Sequence, residues 1–438
     1  MIKKKIFIIS FTFIFLTSVG FIAGGIVGPI LIVWDKYPNQ KTLESKSELL
    51  KRQLIQVRSG RDVNWTENLA DLVSEDKFIL SALHQLKVTE LDATDYLYDY
   101  GEKEGLPGGY IDIVDSDTAI FVNGLGDLAL LNLSNLSLKK LESNLNGIVE
   151  SQNYQGVIIP DLRGRFGLRD ILVDRGKIYI SLFLDITGDG CYGLGILESS
   201  LADIKANLFS FEQTFVTDEC NRNFNGHASG GRMKFLNNEL IFTVGSFDLN
   251  MFGDRSIPQD KRTSVGKVIA IQDDSSFRVL SMGHRNQHGL EIVGEDIFIT
   301  EHGPMGGDEI NMIDDGHYGW PFYAYGFDYD YVDKFKMPHE APYVKPSYYF
   351  TPSIGISELI FYRNTRFSRW NEKFIVSSLV DKSLYLMDFD LERKRFMSLE
   401  RIHIGSRIRD LTQTIDGRLL LITDDQKILV VTSTVSDL

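Results

Sequence analysis

The chain has 438 residues, 43% of them hydrophobic, with a formal charge of -14 and a pI near 5.1. That acidity, with no basic patch beyond the first few residues, excludes a nucleic-acid partner, because phosphate binding needs concentrated Lys and Arg. The length exceeds one ordinary core but fits a single all-β barrel or propeller.

Lys3, Lys4 and Lys5 precede an uncharged apolar run from Ile6 to Trp34, long enough to cross a bilayer at roughly 20 residues. A cleaved signal peptide has a shorter apolar core and a small-x-small cleavage site. Nothing after Ser18 offers a clean site, although Gly20 to Gly25 keeps that alternative open. The reading is an uncleaved membrane anchor over residues 1–34, with the Lys cluster leaving the bulk of the chain periplasmic or extracellular, or secreted if the segment is cut. Residues 35–105 read as a helical spacer: Leu43 to Val57 and Leu69 to Leu86 carry apolar residues at helical intervals.

From residue 106 to 438 the texture is β. Short runs closed by Gly, Asp or Asn recur at Tyr110 to Val114, Ala119 to Val122, Asp170 to Val173, Lys177 to Leu184, Glu239 to Val244, Lys267 to Ile271, Phe277 to Met282, Asp296 to Thr300, Lys373 to Ser377, Ser383 to Phe389, Arg418 to Thr423 and Lys427 to Thr432. Turn signals DRGK, LNNE, VGED and IDGR separate neighbours. About 330 residues of this pattern make six four-stranded blades of roughly 55 residues each, the plan of a six-bladed β-propeller. Cys191 and Cys220 are the chain's two cysteines. They form a disulfide in an oxidising compartment or stay two separate buried thiols, and spacing alone leaves both open.

Four motifs carry groups able to do chemistry. His227 sits in GHASGGR, where glycines let backbone and ligand approach and an imidazole suits a general base. Around the strand Glu295 to Thr300, the stretch Gly283 to Pro321 collects His284, Arg285, Asn286, Glu301, His302, Gly303, Pro304, Asp308 and Glu309 at strand ends, where sites usually lie. Carbonyls of a Gly303–Pro304 turn with the Glu309 carboxylate are hard oxygen donors that suit calcium. Arg407 and Arg409, two apart in GSRIRDL, project to one face as paired forks for carboxylates or phosphates, unless they serve as salt bridges to Asp410 or Asp416. No EF-hand loop, CxxC pair, HExxH, P-loop or GxSxG occurs.

GHRN, TEHGPMGGDEIN, YGWP, HxxGGR and IRD before the DG turn occur in the order found in the PQQ-dependent soluble glucose dehydrogenase and aldose sugar dehydrogenase family, which this chain resembles over roughly residues 108–432. The resemblance implies a six-bladed quinoprotein propeller that binds pyrroloquinoline quinone (PQQ) and calcium and oxidises the C1 hydroxyl of aldoses to lactones. It makes His227 the base, puts Arg285 and Asn286 at the quinone end, and gives the calcium that polarises the quinone to the carbonyls of Gly303 and Pro304. Arg407 and Arg409 would face cofactor carboxylates or the substrate mouth, and Glu309 with Tyr318 would match a second, structural calcium. Electrons would pass to an external acceptor.

Departures accompany the match. GRFGLR stands where the family has GQGGLL, placing Arg165 at the glutamine as a cofactor contact. Val380 replaces a lysine, with Lys382 two residues on. Tyr349 or Phe350 must serve for a tryptophan, and His288 replaces a glutamine. Each lost polar contact costs about 1 kcal/mol or more. The competing reading is a calcium-stabilised propeller that binds glycans or protein without redox activity. A metal-dependent lactonase on the same fold is weaker, since such hydrolases display a denser central carboxylate cluster.

Overall fold

The computed structural model describes residues 76–81, 85–93, 109–124, 126–152, 167–205, 208–222, 226–247, 257–327 and 342–433. The expected anchor over residues 1–34, the expected helix Leu43 to Val57 and Arg165 lie outside them. Among the described residues no helix is long and apolar enough to cross a membrane.

Six mainly antiparallel sheets of four or five strands follow one another along the chain, two of them with a short parallel edge strand, Leu208–Phe209 and Gly316–His317. Their innermost strands are Tyr110–Ile113, Leu168–Asp174, Gly230–Leu236, Gln287–Val293, Ile356–Tyr362 and Ile408–Gln413, the inner strands of blades 1 to 6. Each inner strand touches those of the two neighbouring blades, and blade 6 returns to blade 1, so the ring is closed. The fold is a six-bladed β-propeller.

The turn signals act where they were expected. In blades 2, 3 and 4 the inner strand returns through a two-residue hairpin, between Asp174 and Lys177, Leu236 and Glu239, and Val293 and Asp296. Arg175 (φ 52°), Asn237 (φ 53°) and Gly294 (φ 66°) supply the left-handed residue that such tight turns need. Six apolar clusters fill the seams between blades. One joins Ile111, Phe121 and Leu131 of blade 1 to Leu420, Ile422 and Val430 of blade 6. The core therefore lies between sheets, and the ring axis is left to inner-strand residues.

The helical reading of Leu69 to Leu86 is corrected: Asp76–Leu80 and Gln85–Asp92 are strands. Gln85–Asp92 pairs antiparallel with Lys427–Ser433 and completes blade 6, so the first and last parts of the propeller share one sheet, which begins ahead of residue 106. Leu86 and Val88 are buried in the seam with blade 5, each contributing roughly 2 kcal/mol through burial. Alternation of Leu86, Lys87, Val88 and Thr89 carried the strand signal, but a helical window ending at Leu86 absorbs half of it.

Candidate active site

The inner strands of blades 2 to 6 all begin with a break in register, after Leu168, Gly230, Gln287, Ile356 and Ile408. A bulge leaves a residue unpaired and turns its side chain away from the ladder. Arg169, Arg232, His288, Glu358 and Arg409 occupy these breaks. Arg232 lies on the axis: it meets Asp170 of blade 2 at 2.6 Å, Glu358 of blade 5 and Asp410 of blade 6. Its Nε donates to the His288 carbonyl of blade 4 at 2.7 Å, and the guanidinium sits 5.0 Å from the Tyr110 ring of blade 1. One buried cation thus ties together all six blades. Three carboxylates cannot all be neutralised by it; burial pushes the Asp170 carboxyl up to about 7 and that of Glu358 to about 8, with Arg232 acting against the rise.

Toward the starts of the inner strands lies a basic, histidine-rich mouth. His288 and His302 stack with ring centroids 4.0 Å apart. Burial, then the second ring, then Arg409, Arg169 and Arg232 hold His288 well below the usual imidazole range, so it is neutral. Burial likewise lowers His302, and Arg285 and Arg409 add to the effect. Arg409 binds Asp424 through both Nε, at 3.0 Å, and Nη2, at 2.8 Å, and Arg407 reaches the same carboxylate at 3.0 Å. Burial works against it, yet Arg409 and Arg407 hold the Asp424 carboxyl below its ordinary range. Asp424 is therefore the shared partner. Of the two readings left open, the arginines are in a salt bridge, but with Asp424 in place of Asp410 or Asp416: Asp410 serves Arg232 and Asp416 serves Arg366 and Arg418.

His227, half-buried, stands in a turn tied to both sides of this mouth. The Gly226 carbonyl accepts from Arg169 Nη2 at 3.1 Å. Phe247 N donates to the Ala228 carbonyl and Ser246 N to the Arg285 carbonyl, each at 2.8 Å. Gly230 N reaches Asn286 Oδ1 at 3.5 Å. One short segment therefore seats the His227 turn against Arg285 and Asn286.

Arg285, Gly303, Pro304, Glu309 and Tyr318 line a single recess together with Glu301. Glu301 accepts from the Arg285 amide at 2.7 Å and bonds His284 Nδ1 at 2.8 Å. It stands directly across the ladder from Glu309. Burial and then Glu301 push the Glu309 carboxyl well up, and Asn311 is its hydrogen-bond partner at 3.2 Å. Two facing carboxylates beside two backbone carbonyls are a donor set that fits a hard divalent cation. Among the described residues, however, no group of three or more His, Cys, Asp or Glu gathers as a metal cluster. The Gly303 carbonyl already accepts from Arg285 Nη1 at 3.1 Å. Arg285 Nε is buried without a hydrogen-bond partner, so this guanidinium holds a donor ready for a ligand oxygen. The Tyr318 hydroxyl is occupied, donating to the Met312 carbonyl at 2.7 Å and accepting from Asp314 N at 3.0 Å. Glu309 and Tyr318, expected at a second cation, line the same recess as Gly303 and Pro304.

The family model described as Glucose / Sorbosone dehydrogenase matches residues 138–431. The chain belongs to this family. Among curated relatives of this glucose/sorbosone dehydrogenase chain, an uncharacterized Synechocystis protein is 31% identical over 223 residues, 45% of this chain and 54% of that protein. The match thus spans about half of that relative's length. The aldose sugar dehydrogenase YliI of Escherichia coli is 27% identical over 296 residues, 61% of this chain and 77% of the relative. Two solved structures share the fold. The apo form of the soluble E. coli aldose sugar dehydrogenase has a TM-score of 0.61 at 22% identity, covering 80% of this chain and 99% of that one. The PQQ-bound aldose sugar dehydrogenase of Streptomyces coelicolor has a TM-score of 0.53 at 16% identity, covering 74% and 98%.

Within this family member the remaining departures fall at the mouth. Of the two candidates for the missing tryptophan, Phe350 is buried in the seam with blade 5, whereas Tyr349 is exposed and stacks on Tyr325. Val380 is exposed beside Gly355, in a loop closed by Val380 N bonding the Ile354 carbonyl at 3.0 Å. Glu301, Arg169 and Arg232 are the residues whose parts sequence reading missed. HxxGGR contained Arg232, and TEHGP contained Glu301, but no local pattern tells which way either points. Cys191 and Cys220 are joined as a disulfide, Cα atoms 5.3 Å apart.

Proposed function

We propose that this family member oxidises the C1 hydroxyl of an aldose to its lactone, using PQQ and a calcium ion, and passes the electrons to an external acceptor. The observation that carries the proposal is the meeting, on one face of the ring, of the His227 turn, Arg285 with its unpartnered Nε, Arg409 and the recess of Gly303, Pro304 and Glu309. When bound, PQQ supplies the two-electron acceptor for the C1 hydride. His227 takes the C1 hydroxyl proton as general base. Arg285 Nε donates to an anionic oxygen, and Arg409, whose Nε and Nη2 are held by Asp424, offers Nη1 to a carboxylate. The carbonyls of Gly303 and Pro304 with the Glu309 carboxylate would hold the calcium, whose charge would offset the burial of Glu309 beside Glu301.

The Cys191–Cys220 disulfide supports an oxidising compartment, and the proposal keeps the propeller outside the cytoplasm with residues 6–34 as its anchor. One observation favours the second reading, a binding propeller without redox activity: Arg285 already engages the Gly303 carbonyl. The test is direct. Full-length protein is purified in detergent, loaded with calcium and PQQ, and assayed for dye reduction with a panel of aldoses. Saturable cofactor absorbance and turnover that vanishes in His227→Ala are the expected results. Absence of quinone binding at any practical concentration overturns the redox proposal and leaves the binding propeller.

A further inference from the structure

Blade 3 encloses a charge that the proposed chemistry does not use. Lys267, at the mouth end of the strand Lys267–Ile271, is fully buried, and no other lysine among the described residues is buried. Its Nζ donates to three main-chain carbonyls, those of Val265 at 2.6 Å, Pro258 at 3.1 Å and Ile257 at 3.2 Å. Three acceptors match the three N–H bonds that only the ammonium form has. Burial lowers Lys267 to about 8, so the charge persists at neutral pH, and Asp260 and Asp218 support it through space. Backbone carbonyls gathered round a cation are the usual hold on a hard metal ion; here the cation is a side chain.

The segment 257–265 is thus folded around the ammonium, and its far side forms a wedge against the mouth. Gly283 N donates to the Pro258 carbonyl at 3.2 Å, and Trp320 N donates to the Gly283 carbonyl at 2.9 Å. Gln259 holds the same turn through its side chain, and one donor fixes every proton in that contact. Gly319 N donates to His317 Nδ1 at 2.9 Å, so His317 carries its proton on Nε2 and donates to Gln259 Oε1. Gln259 Nε2 then donates to the Trp320 carbonyl. Burial holds His317 at about 4, which keeps the ring neutral and this direction of bonding intact. The Trp320 ring in turn lies 5.3 Å from the Arg285 guanidinium. The wedge fits closely: a Cβ on Gly266 would meet Pro258 Cβ at 2.7 Å.

We propose that Lys267 is a positioning residue for cofactor binding: as a built-in cation it folds residues 257–265 into the wedge that fixes Trp320 and, through it, Arg285. The inference rests on the proposed function only for the ligand, PQQ. A guanidinium already in place binds an anionic oxygen without the cost of being ordered at that moment. Loss of the ammonium therefore shows in cofactor affinity, whereas the proton transfer belongs to His227.

Full-length wild type, Lys267→Ala and Gln259→Ala are compared in detergent by amide hydrogen exchange without cofactor and by PQQ absorbance titration. Lys267→Ala is expected to speed exchange in residues 257–266 and 316–324 roughly tenfold, the scale of one lost hydrogen bond to a charged group, and to leave the strand Leu419–Thr423 unchanged. PQQ should bind about tenfold more weakly, while kcat at saturating PQQ changes far less. Added n-propylammonium, which refills the carbonyl cage, restores both, and tetramethylammonium at the same ionic strength, lacking any N–H, restores neither. Gln259→Ala leaves the cage whole and cuts the wedge from Trp320, so it should reproduce the faster exchange at 316–324 and the weaker PQQ binding. That variant decides the matter if Lys267→Ala does not fold. Exchange at 316–324 equal to wild type in Gln259→Ala, or PQQ affinity equal to wild type in either folded variant, overturns the proposal. If the wild type itself binds no quinone, the sugar oxidation falls, and the exchange at 316–324 by itself upholds or overturns the wedge.

Discussion

Arg232→Met tests the idea that one cation organises the axis of the ring. The guanidinium is nearly inaccessible and faces the carboxylates of Asp170, Glu358 and Asp410, all buried. Methionine keeps most of the volume and removes the charge. An ion pair near 4 Å is worth about 4 kcal/mol at an effective dielectric of 20, but desolvation of the guanidinium offsets much of this gain. Breaking a buried network by deleting one side typically costs about 3–5 kcal/mol, because the remaining charges stay uncompensated. The variant is expected to lose that much in urea unfolding at about pH 7.5.

The pH dependence identifies the cause. Asp170 and Glu358 already sit at about 7 and about 8, above the ordinary 3.8 and 4.5. The folded state therefore binds protons that the unfolded chain releases. In the wild type, the stability these two groups contribute is fully present below about pH 4 and is lost as pH rises through about 7 to 8. Removing Arg232 raises both further, so the penalty grows with pH at about 1.4 kcal/mol per unit for each extra proton taken up. Because the wild type already holds most of these protons below its own values of about 7 and about 8, the loss should shrink by about 1 kcal/mol between about pH 7.5 and 5.5, nearly all of it above about pH 6.5. Loss of under 1 kcal/mol at the higher pH, or a loss equal at both, refutes the reasoning.

Three further outcomes follow from particular contacts. Asp424→Asn removes the carboxylate that holds both Arg407 and Arg409, and should weaken PQQ binding about tenfold or more in an absorbance titration while shifting the melting temperature by only a few degrees. Gly307→Ala forces a Cβ to within 2.6 Å of backbone at a φ of +72° and should cost roughly 2–3 kcal/mol in chemical denaturation. Replacing Cys191 and Cys220 by alanine opens a loop of 29 residues, which should lower stability by about 3–4 kcal/mol; a melt unchanged by reducing agent would contradict this.

Strand texture and hairpin signals are local properties, and the blades were legible from them. Short, nearly continuous runs of strand formers such as Lys177 to Leu184 or Lys267 to Ile271, with Arg175 and Gly176 or Asn237 in the turns, need no distant partner to be read. The motif residues were legible for the same reason: His227, Arg285, Asn286, Gly303 and Pro304 stand in glycine-rich turns that stay recognisable wherever they fold. Gln85–Asp92 was not legible as a strand. Its ladder partner, Lys427–Ser433, lies at the other end of the propeller, and a short amphipathic run without its partner fits a helix as well.

What the sequence by itself determined is the set of elements and the chemical types at their ends. Tertiary structure alone decided where those groups point. Arg169, Arg232, His288 and Arg409 reach the axis because each inner strand slips register against its neighbour, and a slip belongs to a pair of strands. Asp424 became the partner of both arginines, in place of the nearer Asp410, because Asp410 was drawn to a guanidinium 178 residues away. Charges buried in a low-dielectric channel are matched by proximity in space, and ring closure, which no local pattern encodes, sets that proximity.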